Sequence, residues 1–466
     1  MEFNFVIRTQ FFISDLPARS LFLQTTYFNG YYACHYCVTK GLWSGSIVVY
    51  PYHHNDLKLR SHAEVIAAAK EAEKNSTGKR ITSVQGVKGL SCLLDIMAYP
   101  QQILLDYMHL VCLGHVQTLI KRWCQLIDKE EVMKMDNMLL KTRVPHNIHV
   151  VYNESISAVE CWKAKHSRLF VLNIGLPIGI TCLPVLNASH WAIYCVAIKL
   201  LHAPESIEDI NFAERLINYY CRTISEVYDQ SLEYYSLHAH LHLPAQVRLH
   251  GGLSFCSAFT FESCIRYIKK QVHGTKHLAS QIAYWYDMEN IVKNKIFEVP
   301  SSTGVNQIDL NNEQLGDYRE LVINLIQMND QQLKQVEFYK RYKHQFTTYH
   351  TTLYDKRFKC CSFVISYIKD KNYRNVINYA NIVVFYKYDS EYFAFIQKYR
   401  MSKKKISDFV ELPTEILQRL DGLYPLVELS NDYDIISVEA FRHKCVAIEF
   451  QDVFCISEIR VDFEHD

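Results

Sequence analysis

Along this chain the spacing of hydrophobic positions changes period several times, and the changes predict its elements. Thr9, Phe11 and Ile13 alternate with Gln10 and Phe12 up to Asp15, the two-residue period of a strand. Pro17 follows where its fixed φ and missing N–H suit the first turn of a helix, so Asp15 is expected at the carboxyl end of a strand. From about Ser61 to Lys270 the pattern is chiefly helical. Across 101–127, Leu104, Leu105, Met108, Val111, Cys112, Val116, Leu119, Ile120 and Trp123 recur at helical spacing, and 207–235 behaves alike. Phe261, Ile265, Ile268 and Val272 mark the expected buried face of a later helix that stops near Gly274. Past a polar stretch at 300–317, which contains Ser301, Ser302, Gly304, Asn311 and Asn312, a short helix is expected over 318–328. The runs 361–367, 382–388, 392–397, 435–438 and 445–450 then predict strands of a small barrel or open sheet.

The segment 169–201 is apolar enough to raise a membrane question. Asn173, Pro177, Pro184, Asn187 and His190 interrupt it, whereas a spanning helix wants about 20 mostly uninterrupted apolar residues. Two buried core helices joined by a proline-containing turn fit better, and no membrane partner is expected.

Composition narrows the picture. With 466 residues, 49% of them hydrophobic, the chain can bury a sizeable core. Fifty basic residues against forty-nine acidic ones leave +1, so any contact with nucleic acid must come from local patches rather than from the whole chain. Fifteen cysteines are too sparse for a disulfide scaffold, and residues 1–8 form no signal peptide. A reducing setting is expected, in which a CxxC serves metal or redox chemistry.

Four constellations carry that chemistry. Cys34 and Cys37 stand three apart and can grip one tetrahedral zinc from a tight turn; the same spacing serves a redox pair, although no helix is apparent after it. His238 and His242, four apart, share a helical face and match the histidine half of a Cys2His2 site, or are ordinary core histidines. Glu262 lies on a helix face with Arg266, Lys269 and His273, where an acid and basic groups could meet a metal and a phosphate backbone, or simply make an exposed face with ion pairs. Asp106 and His109 are a weaker acid–imidazole pair on the 101–127 segment, and Asp106 also suits the helix dipole.

The order of these pieces resembles a known family. Asp15-Leu16-Pro17-Ala18-Arg19, followed by Phe28 to Cys37, looks like the second catalytic aspartate and CxxC of CACTA-like Asp–Asp–Glu DNA transposases. Asp106 to Leu110 with Leu113-Gly114 resembles the family's Asp-x-x-His segment. His238 to His242, then Ser257-Ala258-Phe259 and Phe261-Glu262, looks like its histidine pair and final glutamate. A zinc held between a CxxC and a distant histidine pair is similar to Transib elements and the related V(D)J recombinase. The likeness runs from about Phe11 to Gly274.

The resemblance implies an α/β, largely α, fold: a partial RNase H-like core with a long zinc-stabilised helical insertion, then a small β-rich C-terminal domain. The implied boundaries are 1–23 for a strand and helix with the second Asp, 24–256 for the insertion, 257–300 for the glutamate helix, 301–345 for a linker and helix, and 346–466 for the β-rich domain. It further implies Asp15 and Glu262 as catalytic metal ligands; structural zinc on Cys34, Cys37, His238 and His242; Asp106 and His109 as accessory groups; and Arg266, Lys269 and His273 as DNA contacts. Magnesium or manganese would serve an intact ancestral active site. The implied partner is DNA at transposon ends, with a homodimer and a nuclear location. The family's first aspartate comes from an earlier strand, whereas Glu2 is the only acid ahead of Asp15. A truncated, transposase-derived protein that does not cut DNA alone is therefore the expectation. The rival is a non-catalytic, zinc-stabilised DNA- or protein-interaction module, whose sensitive surfaces would include Lys398, Arg400 and Lys403 to Lys405; a thiol redox protein is the third reading.

Overall fold

The computed structural model describes residues 10–52, 57–78, 80–293, 302–311, 313–344, 347–354, 360–369 and 376–460. Residues 1–9 of the expected opening strand, and residues 300, 301 and 312 of the polar stretch, lie outside them. The chain is mixed α/β and divides into two compact units, one formed by 1–133 with 154–261 and the other by 134–153 with 262–466.

The first unit is mainly helical. Its strand Phe12–Ser14 gives way at Asp15, which caps the helix Leu16–Phe22 by accepting a hydrogen bond from Ala18 N at 2.7 Å, with Pro17 in the first turn. The strand pairs in parallel with Ile103–Leu105, in the register Phe12 to Ile103 and Ser14 to Leu105. This second strand corrects the helical expectation for 101–127. Leu104 and Leu105 are buried in the strand, and helix begins only at Met108, as a π-helical stretch to Val116 that continues through Gln117–Leu126. A short, wholly apolar run has no period that separates strand from helix. Arg19 rivets the pair, its buried Nη2 donating to Ser14 O at 2.9 Å and to Leu104 O.

The apolar segment forms the helices Gly175–Cys182 and Val185–His202, joined at Pro184 as expected. No helix among the described residues is long and apolar enough to cross a membrane. Val185–His202 packs on Ile207–Val227, and the second of these helices starts where Ser206 accepts from Asp209 N. Trp123, Phe170, Trp191, Tyr194 and Tyr220 are fully buried around them. Two histidines inside this core are partnered by tyrosines: His115 meets Tyr234 OH at 2.8 Å and Tyr220 OH at 2.7 Å, and His240 meets Tyr194 OH at 2.9 Å. Burial holds both histidines below their ordinary pKa, His240 at about 4.

The second unit is built on an antiparallel sheet. The strands Glu391–Met401, Leu426–Ser437, Val453–Ile459, Phe441–Phe450, Val364–Tyr367 and Asn378–Tyr388 pair in that order, and the last returns to pair with the first. The ring is therefore closed and barrel-like, which removes the exposed edges that an open sheet would leave. Glu337–His344 adds to Asn378–Tyr388, and Thr303–Ile308 and Thr347–His350 add to it in turn. Simple alternation fails within 379–386, where every residue is buried. The pairing explains this. Phe395 opposes Val384 but Ile396 opposes Ile382, leaving Val383 as a bulge. Ala380, Ile382 and Phe385 then join one core cluster, and Val383, Val384 and Tyr386 another, because one extra residue moves every later side chain to the opposite face.

Candidate metal centre

Two distant segments of the helical unit supply the site. On one side the chain turns tightly through Tyr32, whose φ is 55°, into Cys34-His35-Tyr36-Cys37. Cys37 makes an isolated bridge with Leu59, and Arg60 N donates to Tyr36 O at 2.8 Å, pinning the turn to the strand-like 57–60 segment. The buried guanidinium of Arg60 gathers the carbonyls: Nε donates to Cys34 O and Cys37 O, both at 2.9 Å, and Nη2 to Gln85 O at 2.7 Å and Tyr32 O at 3.3 Å. A tight turn points several carbonyls inward without ladder partners, and one planar five-donor group satisfies them together. Nothing in the residue pattern had marked Arg60.

On the other side, helix Tyr235–Ala239 runs without a break into the 3-10 turn His240–His242 and then helix Leu243–His250. His238 and His242 both face the cysteine turn. Cys34 Sγ lies 3.4 Å from His242 Nε2, and Cys37 Sγ lies 3.2 Å from His238 Nε2. The four donor atoms all fall within 4.8 Å of one another, and all four residues are buried. A tetrahedral ion with metal–sulfur bonds near 2.3 Å and metal–nitrogen bonds near 2.05 Å wants sulfur–nitrogen edges of about 3.5 Å, so these two sulfur–nitrogen edges suit one ion held by the group. Among the described residues this is the one such group.

The surroundings favour a cation. Burial pushes the Cys34 thiol up, while the hydrogen bond from Cys34, then those from His238 and His242, hold the Cys37 thiol far down. Both thiols must be deprotonated to hold a metal ion. Burial also lowers His242, keeping its imidazole neutral and able to donate a lone pair. Tyr36 stacks on His242 with ring centroids 5.0 Å apart and planes at 13°, fixing the ring's orientation. A redox pair, by contrast, needs an accessible thiolate at a helix start. Cys34 and Cys37 are 1% and 0% exposed, and among the described residues no helix follows them before His62.

The other site residues are placed as follows. Asp15 ends its strand as expected, half-buried, with Oδ1 committed to the helix cap. Asp106 is not on a helix. It follows Leu105, so the parallel register sets Asp15 and Asp106 as the residues next after the paired Ser14 and Leu105. The buried Asp106 carboxylate is fully engaged: Oδ1 accepts from Met108 N at 3.1 Å and Ala258 N at 2.7 Å, while Oδ2 accepts from His109 N at 3.2 Å and pairs with His109 Nδ1. It thereby ties residue 258, just ahead of helix Phe259–Lys270, to the end of a strand.

Glu262 lies on that helix, exposed, in the other compact unit from Asp15. Arg266, Lys269 and His273 are exposed beyond it. The expected buried face is corrected: Phe261 is 48% and Ile265 47% exposed, and no residue of the helix is buried, because amphipathic spacing states which face could be covered, not that a cover is present. Lys398, Arg400, Lys403 and Lys404 stand on or beside the barrel; Arg400 pairs with Asp432 and Lys404 with Asp452 at 2.6 Å.

Compared with known proteins, the chain matches no family model, no curated protein and no solved structure.

Proposed function

We propose that this chain carries the later part of an Asp–Asp–Glu DNA transposase catalytic region, pinned by a structural zinc and derived from an enzyme that cut and joined DNA. The observation that carries the reading is the meeting of Cys34 and Cys37 with His238 and His242, about two hundred residues away, in one buried four-donor cage. Two thiolates and two imidazoles are a donor set that suits zinc, and a closed set of four protein ligands is structural rather than catalytic. Asp15 at the end of a parallel strand supports the same reading, since such ends commonly present functional carboxylates. In this reading the strand pair is a remnant of an RNase H-like sheet and the helical unit its insertion.

Asp15 and Glu262 are the carboxylates assigned to a catalytic magnesium or manganese ion, which when bound supplies Lewis acidity at a phosphodiester. Arg266, Lys269 and His273 would hold the DNA backbone. Partners are accordingly DNA ends and a second copy of the chain, in a nucleus.

The test has two arms. Elemental analysis of the purified 466-residue protein is expected to find about one zinc per chain, lost in Cys34→Ser. A longer product, extended at its amino end by a strand that ends in Asp, should nick plasmid DNA with manganese, and Asp15→Asn or Glu262→Gln should abolish nicking. A longer product that nicks equally well in both variants would sink the transposase assignment and leave the zinc site standing.

One observation favours a second reading, a zinc-stabilised interaction module without catalysis. Asp106 is spent on four hydrogen bonds and one oxygen of Asp15 on a cap. That module predicts unchanged DNA or protein binding in Asp15→Asn.

A further inference from the structure

The helices Phe259–Lys270 and Leu278–Lys293, joined through residues 271–277, make a loose hairpin held at its turn, whose described residues after Ala258 include none that is buried. Its turn is nonetheless fixed. Gln281 accepts from His273 N at 2.6 Å and donates to Lys276 O at 2.8 Å, and Gly274 supplies a φ of +117°. Tyr284 and Trp285 follow Gln281 by three and four residues, which places them on the helix face that meets the turn. The Trp285 ring packs edge-on against His273 with centroids 5.9 Å apart, and Tyr284 against Trp285 at 5.4 Å. Tyr284, Trp285 and Tyr286 are 58%, 41% and 57% exposed.

Charge sorts the same way. From Ser263 to Tyr286 there is no Asp or Glu, while Arg266, Lys269, Lys270 and Lys276 contribute four positive charges beside His273 and His277. All six of these side chains are exposed. In a chain whose total is only +1, this is local segregation. Glu262 precedes this stretch, and Asp287 and Glu289 follow it. Exposed aromatic rings beside a row of cations match a strand of nucleic acid, whose phosphates meet the cations and whose unpaired bases stack on the rings.

We propose that this hairpin is a single-stranded nucleic-acid site, in which Arg266, Lys269, Lys270 and Lys276 follow the phosphate backbone and Tyr284 and Trp285 stack unpaired bases. It deepens the DNA-binding part of the reading above and uses neither of that reading's catalytic carboxylates, so the two fail separately. Duplex DNA hides its base faces within the stack, so the aromatic pair confers a preference for single strands. The backbone term makes binding fall steeply with salt.

Fluorescence anisotropy with a labelled oligothymidine of roughly 20 nucleotides, set against a mixed-sequence duplex of equal length, tests this on the zinc-loaded full chain. The single strand is expected to bind more tightly. Trp285→Ala should weaken it about tenfold and the duplex far less, and Trp285→Phe should restore most of the loss. Lys269→Glu with Lys270→Glu should weaken both ligands and flatten the salt dependence. Because these side chains are exposed, unchanged zinc content and circular dichroism will show that each variant is folded. Equal single-strand affinity in Trp285→Ala overturns the proposal, as does tighter binding of the duplex. Self-association that Trp285→Ala abolishes, with no oligonucleotide bound, also overturns it and makes the hairpin a protein-docking face.

Discussion

The helical unit and the barrel are held together by different means. In the barrel, six strands close on themselves through backbone ladders, and the core clusters are apolar side chains spaced along those ladders. Such cohesion is spread over many equivalent bonds. The helical unit joins Cys34 and Cys37 to His238 and His242 across some two hundred residues of chain, and around that joint it buries Arg19, Arg60, His35, His115 and His240. To its apolar core it adds a few groups that each need a particular partner. A unit of the first kind loses stability gradually as positions change; the second is expected to fail abruptly when one joint is opened.

Removing the metal is the strongest test of that contrast. The apparent binding free energy of a structural zinc, roughly 10 kcal/mol or more, rivals the whole stability of a domain, about 5–15 kcal/mol. Chelation, or Cys37→Ser, is therefore expected to abolish the cooperative unfolding transition of the helical unit while that of the barrel persists. Differential scanning calorimetry with and without chelator would show it. A single transition that moves as one would mean the two units do not differ in this way.

Acid sharpens the comparison next. In the helical unit, burial holds His115 well below its ordinary pKa and His190 at about 4. The sign follows from linkage. Below the unfolded value near 6.5 the unfolded chain takes up protons that the folded unit refuses, so stability is fully present above about pH 6.5 and falls as pH drops, by about 1.4 kcal/mol per pH unit for each such histidine. A zinc in the proposed site, whose ligands must be deprotonated, is also lost as pH falls. The barrel unit has His146 at about 4 and His350 at about 3, both lowered first by burial, and no comparable four-donor group among its described residues. Between pH 7 and 5 the helical unit is expected to melt first, as read by tyrosine near-ultraviolet circular dichroism and zinc release. Earlier melting of the barrel would reverse the ranking.

The converse experiment strikes the barrel. Phe395 is fully buried, stacks on Tyr433 with centroids 5.4 Å apart and planes at 5°, and belongs to the cluster around Val383 and Val384. Phe395→Ala removes buried area and leaves a cavity, which costs about 3–5 kcal/mol. The barrel transition should fall in temperature with zinc content unchanged. Loss of zinc in this variant would show that the two kinds of cohesion are not separate.

What could be read from the residues follows the same division. The metal cage was legible because cysteine and histidine pairs at fixed short spacing carry their chemistry in their identity. The strands at 361–367 and 445–450 were legible as β-branched and aromatic runs. Ile103–Leu105 was not, since three buried apolar residues leading into a helix merge with its period, and with it went the juxtaposition of Asp15 and Asp106. The bulge at Val383 has no mark in a run of apolar residues. Arg60 was invisible because its role lies in satisfying carbonyls of a turn twenty-odd residues away, which no local pattern encodes. Phe261 and Ile265 show the opposite error: the helical period is present, but a period does not supply a covering surface.

The smallest expected effect separates structure from chemistry. Glu262 is exposed on a helix that buries nothing and makes no ion pair among the described residues, whereas the buried Asp106 carboxylate holds Met108, His109 and Ala258. Glu262→Gln keeps the side chain's size and helix preference and is expected to change stability by no more than about 0.5 kcal/mol, with zinc content intact. Thermal melts of this variant beside Asp106→Asn would check it. A loss near zero for Glu262 and of about 1–3 kcal/mol for Asp106 would mean that Asp106 serves the fold and that Glu262, if it is kept for anything, is kept for what it meets outside the chain. A large loss at Glu262 would instead make it part of the scaffold and remove it from the proposed catalytic set.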